Sequence, residues 1–127
     1  MTLVAIVAAL ALIEYTVLAL SVGRARQQYG VKAPATTGNE IFERHYRVQQ
    51  NTLEQLVVFL PSLYLFASYV HAGGAAALGA VFVVGRALYA RGYVADPERR
   101  GVGFLIGFVA SNLLLLGGLL GALASLL

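Results

Sequence analysis

The chain of 127 residues has no cysteine, no tryptophan, one methionine and only six acidic side chains. Without cysteine there is no disulfide frame and no thiol nucleophile of the protein's own. Two histidines, His45 and His71, stand apart in the sequence, so there is no Cys/His cluster for a structural metal. Charged residues make up only 12% of the chain, against 59% hydrophobic ones, and mean hydropathy is +0.76. A soluble domain of this length has too little interior to hide that much apolar surface. The expected class is an all-α integral membrane protein, a single domain over residues 1–127.

The charge balance is +3, with a pI near 9.5. Nucleic acid is excluded by the distribution: every Lys and Arg lies between Arg24 and Arg100, in or beside two polar segments, and no basic tail exists. The first stretch, MTLVAIVAALALIEYTVLAL, lacks a positive leading region and carries Glu14 where a signal peptide would be purely apolar, so it reads as a retained span.

Four apolar stretches follow one another, at about residues 3–22, 53–70, 75–93 and 102–126. Each approaches the roughly 20 residues that carry a helix across a bilayer. In lipid, backbone groups must be satisfied within the segment, so these stretches are expected as four transmembrane helices. The connections are GRARQQYGVKAPATTGNE, the tight turn HAGG, and RGYVADPERRG. The two basic ones should face the cytoplasm, with HAGG and both termini opposite.

The second helix should start before the membrane. Thr37 followed by Glu40 predicts a capping box there. A helix from Glu40 to Tyr69 would be about 45 Å long, more than the roughly 30 Å of hydrocarbon. Asp96-Pro97 predicts an N-cap and first helical position for the fourth helix.

Polar residues enter the second span in the stretch FERHYRVQQNTLE. On a helix, Arg44, Arg47, Asn51 and Glu54 share an arc of about 80°, and Arg47 to Glu54 covers about 10 Å of depth. The third span has a matching stripe of Arg86, Tyr89 and Tyr93 within roughly 60°. Arg100 lies just beyond the turn. A charge near the bilayer centre costs at least about 2.5–3.5 kcal/mol, so these groups should face one another or a protein-lined cavity. Arginines bind carboxylates as planar forks, Glu54 suits an ammonium group, and a further arginine favours an ionised thiol. The inventory points to a small peptide-like acid bearing an amine, held at the cytosolic mouth of a membrane bundle.

FERHYRVQQNTLE, KAPATTG and GRALYARGYVADPERR together resemble the membrane-associated proteins in eicosanoid and glutathione metabolism, in particular the branch of glutathione transferases and leukotriene synthases. The resemblance covers about residues 22–104. It implies a homotrimer of four-helix subunits binding glutathione as co-substrate between neighbours. It places Arg47, Asn51 and Glu54 on glutathione's polar ends, Tyr89 and Tyr93 along the site with Arg86 beside them, and Arg100 at the thiol. Arg26 and Gln49 complete the pocket at the subunit junction. The implied activity is attack of the glutathione thiolate on a lipophilic electrophile from the bilayer, or reduction of a lipid hydroperoxide.

Two departures stand out. Leukotriene-forming members carry paired arginines at the end of the first helix, where this chain has Arg26-Gln27; the family usually has an aromatic after the glutamate, where this chain has Gln55, a change that should loosen or alter the pocket wall. The first departure favours general transferase or peroxidase activity, in a detoxifying role, over leukotriene synthesis. Two other readings compete. One is a non-catalytic lipid-binding member like five-lipoxygenase-activating protein, which lacks the arginine pattern present here. The other is a small four-helix multidrug transporter using Glu14, which leaves the stripe on the second helix unexplained. The Ala/Leu/Gly-rich composition favours a bacterial inner membrane over endoplasmic reticulum.

Several residues also have plainer readings. Arg44 should pair with Glu40, and Arg86 suits either the site or a counter-ion role towards Glu54. Glu14 should pack against polar groups of the second helix or a trimer axis. His45, His71, Tyr64 and Tyr69 should be interface or packing residues. The pairs Gly103/Gly107 and Gly117/Gly121 should mark close helix contacts.

Overall fold

The computed structural model describes all of residues 1–127. Four helices account for nearly the whole chain: α1 (Thr2–Tyr29), α2 (Glu40–Tyr69), α3 (Ala72–Ala95) and α4 (Gly101–Ala124), the last preceded by a 3-10 turn at Pro97–Arg100. α1 outlasts its apolar stretch because GRARQQY suits a helix as well as a loop. It stops at Gly30, whose left-handed backbone (φ 68°) lets its N–H reach the Arg26 carbonyl. Val31 then buries itself against Val22, Ala25 and Phe42, pinning the connection to both helices.

α2 spans 30 residues, as its pattern predicts, but its cap is not Thr37. Gly38 takes φ 130°, and the extended residue that follows, Asn39, accepts from the Phe42 amide at 3.0 Å. Glu40 and Glu43 occupy the first turn, where the helix dipole favours acids. HAGG is likewise more helical than expected. His71 caps α3 through Nδ1, which accepts from the Gly74 amide at 2.8 Å, so the turn shrinks to Val70 and His71. Asp96 does cap the next segment, accepting from the Glu98 amide at 3.1 Å, with Pro97 at the first position. That first turn, holding Arg99 and Arg100, is 3-10 and not α.

α2 and α3 form a central pair, with α1 packed on one side and α4 on the other. The main core joins Val4, Ala8 and Ala11 of α1 to Phe59 and Leu63 of α2, Phe82 of α3 and Leu114 of α4. Phe59 and Phe82 stack face to face at its centre, with ring centroids 3.8 Å apart. Between α3 and α4 the backbones themselves meet. A Cβ on Gly85 would lie 2.7 Å from the Gly107 amide nitrogen, and one on Gly103 would overlap the backbone of Tyr89. Towards α2, Gly117 makes room for the Phe66 ring, and Gly121 meets the Tyr69 carbonyl.

The outer faces are apolar: Leu10, Ile13, Val17 and Leu20 of α1 and Leu116, Leu119 and Leu120 of α4 are all exposed. Water would oppose such a surface and lipid would not. α1, α3 and the segment from Pro97 through α4 are long and apolar enough to cross a membrane. The expected fourth span, α2, has the length but not the uniform composition, because Arg44, Arg47, Asn51 and Glu54 occupy its first half. The chain is thus an integral membrane bundle in which one helix is half polar.

Candidate functional site

That polar half faces a cleft of about 470 Å³ between α2, α3 and the start of α4, within the roughly 300–1,000 Å³ usual for small-molecule sites. Its lining is Arg47 and Asn51 from α2, Tyr89 and Tyr93 from α3, and Arg100, Gly101 and Phe104 from the 3-10 turn and α4. Five of the nine site residues expected from sequence therefore converge on one cavity. The contact at Gly103 makes this possible, since it brings the α4 backbone against Tyr89 and sets Phe104 beside it. The Tyr89 ring lies 5.6 Å from that of Tyr93 and 6.1 Å from that of Phe104, so the three rings form one wall.

The arginines differ in how they are held. Arg47 Nη1 donates to Glu54 Oε1 at 3.2 Å, with both side chains about half exposed (52% and 56%). An exposed pair of this kind is worth at most about 1 kcal/mol, so it can open and re-form around a ligand. Arg100 Nη1 donates to the Pro97 carbonyl at 2.7 Å, which braces the guanidinium on its own turn and leaves its other N–H groups unengaged. Arg86 is 1% exposed and lies beneath the cleft. Its Nη2 donates to Asn51 Oδ1 at 2.7 Å and to Thr52 Oγ1 at 2.8 Å, and the guanidinium sits 4.2 Å from the Tyr89 ring centroid. A buried guanidinium is costly unless its hydrogens find acceptors, and here α2 supplies two from successive residues.

Glu54 does not line the cleft directly but reaches it through Arg47. Its partner is Arg47, and of the two readings of Arg86 the direct counter-ion pairing with Glu54 is not formed: Arg86 bonds to Asn51 and Thr52. Arg26 and Gln49 point elsewhere within this chain. Arg26 donates to the Ala35 carbonyl at 2.7 Å and lies over the Phe42 ring, while Gln49 Nε2 donates to the Tyr15 hydroxyl at 2.9 Å. Arg44 pairs with Glu40 at 2.9 Å, as expected, and also donates to the Val94 and Ala95 carbonyls at the end of α3. Glu14 has a buried Oε1 without a partner, and the charge acting on it is that of Arg86 on α3. His45, outside the cleft and before the apolar half of α2, is held below its ordinary pKa by burial.

Sequence reasoning missed Phe104, Gly101 and Thr52. Phe104 lies one helical turn past Arg100, and that spacing is a usable signal. Thr52 carries no charge, and nothing in its own neighbourhood marks it as the acceptor for a guanidinium 34 residues away.

An intramembrane helical bundle with an arginine-, asparagine- and tyrosine-lined cleft at its polar end is the class these features define. The chain matches the MAPEG family over residues 4–120, and it belongs to that family. It is 56% identical over 119 residues to an uncharacterised protein of Synechocystis sp., covering 94% of this chain and 87% of that one. It is 38% identical over 125 residues to microsomal glutathione S-transferase 2 of Homo sapiens, covering 98% and 85%. It is also 38% identical over 98 residues to leukotriene C4 synthase of Cavia porcellus, covering 77% and 65%.

Proposed function

We propose that the protein is a membrane-bound glutathione transferase with capacity for peroxide reduction. The observation that carries this is the convergence of Arg47, Asn51, Tyr89, Tyr93 and Arg100 on one cleft. Relatives named as glutathione transferases support it. Glutathione offers two carboxylates, an ammonium group and a thiol. Arg47 turns from Glu54 to a carboxylate, freeing Glu54 for the ammonium group. The Asn51 amide and the Tyr93 hydroxyl orient the peptide, and Tyr89 with Phe104 walls off one side. Arg26 and Gln49, which face away from their own cleft, complete that of a neighbour in a homotrimer.

Arg100 stabilises the thiolate as it forms and so supplies the nucleophile. The sulfur forms a C–S bond with a lipophilic electrophile, whose leaving group departs with the bonding pair. With a hydroperoxide, the thiolate takes the outer oxygen, the O–O bond breaks, and the alkoxide is protonated to the alcohol. A second glutathione then converts the sulfenic acid to the disulfide and water. Holding both reactants in one cleft supplies much of the acceleration. The basic connections, with Arg24, Arg26 and Lys32 in or beside one and Arg99 and Arg100 in the other, support a cytoplasmic orientation for this end of the bundle.

The test uses the purified protein in detergent, titrated with glutathione and followed by thiolate absorbance and conjugation of chlorodinitrobenzene. Saturable thiolate formation with turnover is expected. Absence of both, or equal behaviour of wild type and Arg100→Ala, rejects the proposal. A lipid-binding role without chemistry would leave the cleft arginines without a function, and both Arg47 and Arg100 line it.

A further inference from the structure

We infer that Arg86 is a positioning residue that fixes which end of the Asn51 amide faces the ligand. Arginine is a donor only, so the atom it approaches at 2.7 Å has to be the amide oxygen. Nη2 carries two hydrogens, and both are engaged: one by Asn51 Oδ1, the other by Thr52 Oγ1. The Thr52 hydroxyl gives its own proton to the Val48 carbonyl at 2.8 Å, which leaves only its lone pairs for Arg86. The bracket is therefore one-directional, and the amide is not free to rotate end for end. Asn51 lines the cleft, and its Nδ2 has no partner in the chain and is not among the buried unpaired atoms. The cleft thus meets an NH2 group at this point, never a carbonyl oxygen.

The consequence is a rule of selection. At Asn51 the site accepts an acceptor, a carboxylate or peptide carbonyl, and rejects a donor such as an ammonium group. On the glutathione reading proposed above, the ammonium end lies towards Glu54, and a carboxylate or carbonyl lies over Asn51. Arg86 acts from beneath without touching the ligand.

The sign of one substitution decides this. In Asn51→Asp, one carboxylate oxygen keeps the contact with Arg86 and the other faces the cleft, so a donor becomes a charged acceptor. The expected result is a melting temperature at or above wild type without ligand, and a KM for glutathione raised roughly ten- to hundredfold, with kcat falling much less. If the amide oxygen faced the ligand instead, Asn51→Asp would bind glutathione as tightly as wild type or tighter, and that result overturns the assignment. Arg86→Met should raise KM in the wild-type background and add nothing in an Asn51→Leu background. Equal losses in both backgrounds would mean that Arg86 acts otherwise. Should Arg86→Met not fold, Asn51→Asp alone decides, since it keeps an acceptor for Arg86. A wild-type protein that binds no glutathione overturns the function reading and this one with it. Wild-type binding with an unaffected or tighter Asn51→Asp overturns this one alone.

Discussion

Removing the Arg100 guanidinium should move the ionisation of bound glutathione by a predictable amount. Arg100 lines the cleft from an exposed position. A unit charge about 4–6 Å from the sulfur contributes about 0.7–4 kcal/mol as the effective dielectric falls from about 80 to about 20. Exposure places Arg100 in the lower part of that range, about 1–2 kcal/mol, or about one pKa unit. A cation favours the thiolate, so the bound thiol should titrate about one unit below the ordinary value of about 8.5. At pH 7 the thiolate fraction then rises about eightfold, from roughly 3% to roughly 24%. Arg100→Ala should lose that factor in conjugation rate near neutrality, while Arg100→Lys retains part of it. The assay is thiolate absorbance against pH at saturating glutathione, paired with rates of chlorodinitrobenzene conjugation. The two rate profiles should converge at high pH, where the thiol is ionised without help. A gap of constant size at every pH, or an unchanged titration midpoint in a variant that still saturates, refutes the electrostatic role.

Other expectations concern the frame around the cleft. Gly103→Ala puts a methyl group into the Tyr89 backbone, which cannot swing aside as a side chain can; melting in detergent should show a loss of about 1–3 kcal/mol, with activity falling alongside as Tyr89 and Phe104 separate. Arg44→Met leaves the Val94 and Ala95 carbonyls without their donor and should cost about 1–3 kcal/mol in the same assay. Burial holds the His45 pKa below 6.5 in the folded protein, so the unfolded chain binds more protons as pH falls through 6.5. Stability should therefore decline on acidification below about pH 6.5, and His45→Gln should flatten that part of the pH–melting curve; an unchanged slope would assign the acid sensitivity elsewhere.

What was legible in the sequence follows from what each feature depends on. The length of α2 and the two polar stripes depend on helical periodicity alone, and Arg47, Asn51, Tyr89 and Tyr93 meet as that periodicity predicts. The Asp96-Pro97 start is local chemistry and was equally readable. The start of α2 was not, because Gly38 turns the backbone between Thr37 and Glu40 and hands the cap to Asn39. The true partners of Arg86 and Arg26 were hidden for a different reason. Each depends on how a second segment passes by: α2 presenting Thr52 to α3, and the 31–39 connection presenting Ala35 to α1. Charge offered Glu54 as a counter-ion for Arg86, whereas an amide oxygen and a neutral hydroxyl take the hydrogens of its Nη2.

The seam of Gly85, Gly103 and Gly107 has a consequence for how such a protein can diversify. The closest approaches, of Gly85 to the Gly107 amide and of Gly103 to the Tyr89 backbone, are to main-chain atoms, and a main chain is the same whatever side chains surround it. The spacing between the tyrosines of α3 and the arginine that starts α4 is thus insulated from substitutions on the lipid-facing sides of both helices. Those outer positions are free to drift, adapting to a new bilayer, while the cleft keeps its dimensions. Three hydrogen atoms in place of three side chains separate the part of the molecule that evolution can rewrite from the part it has to leave alone.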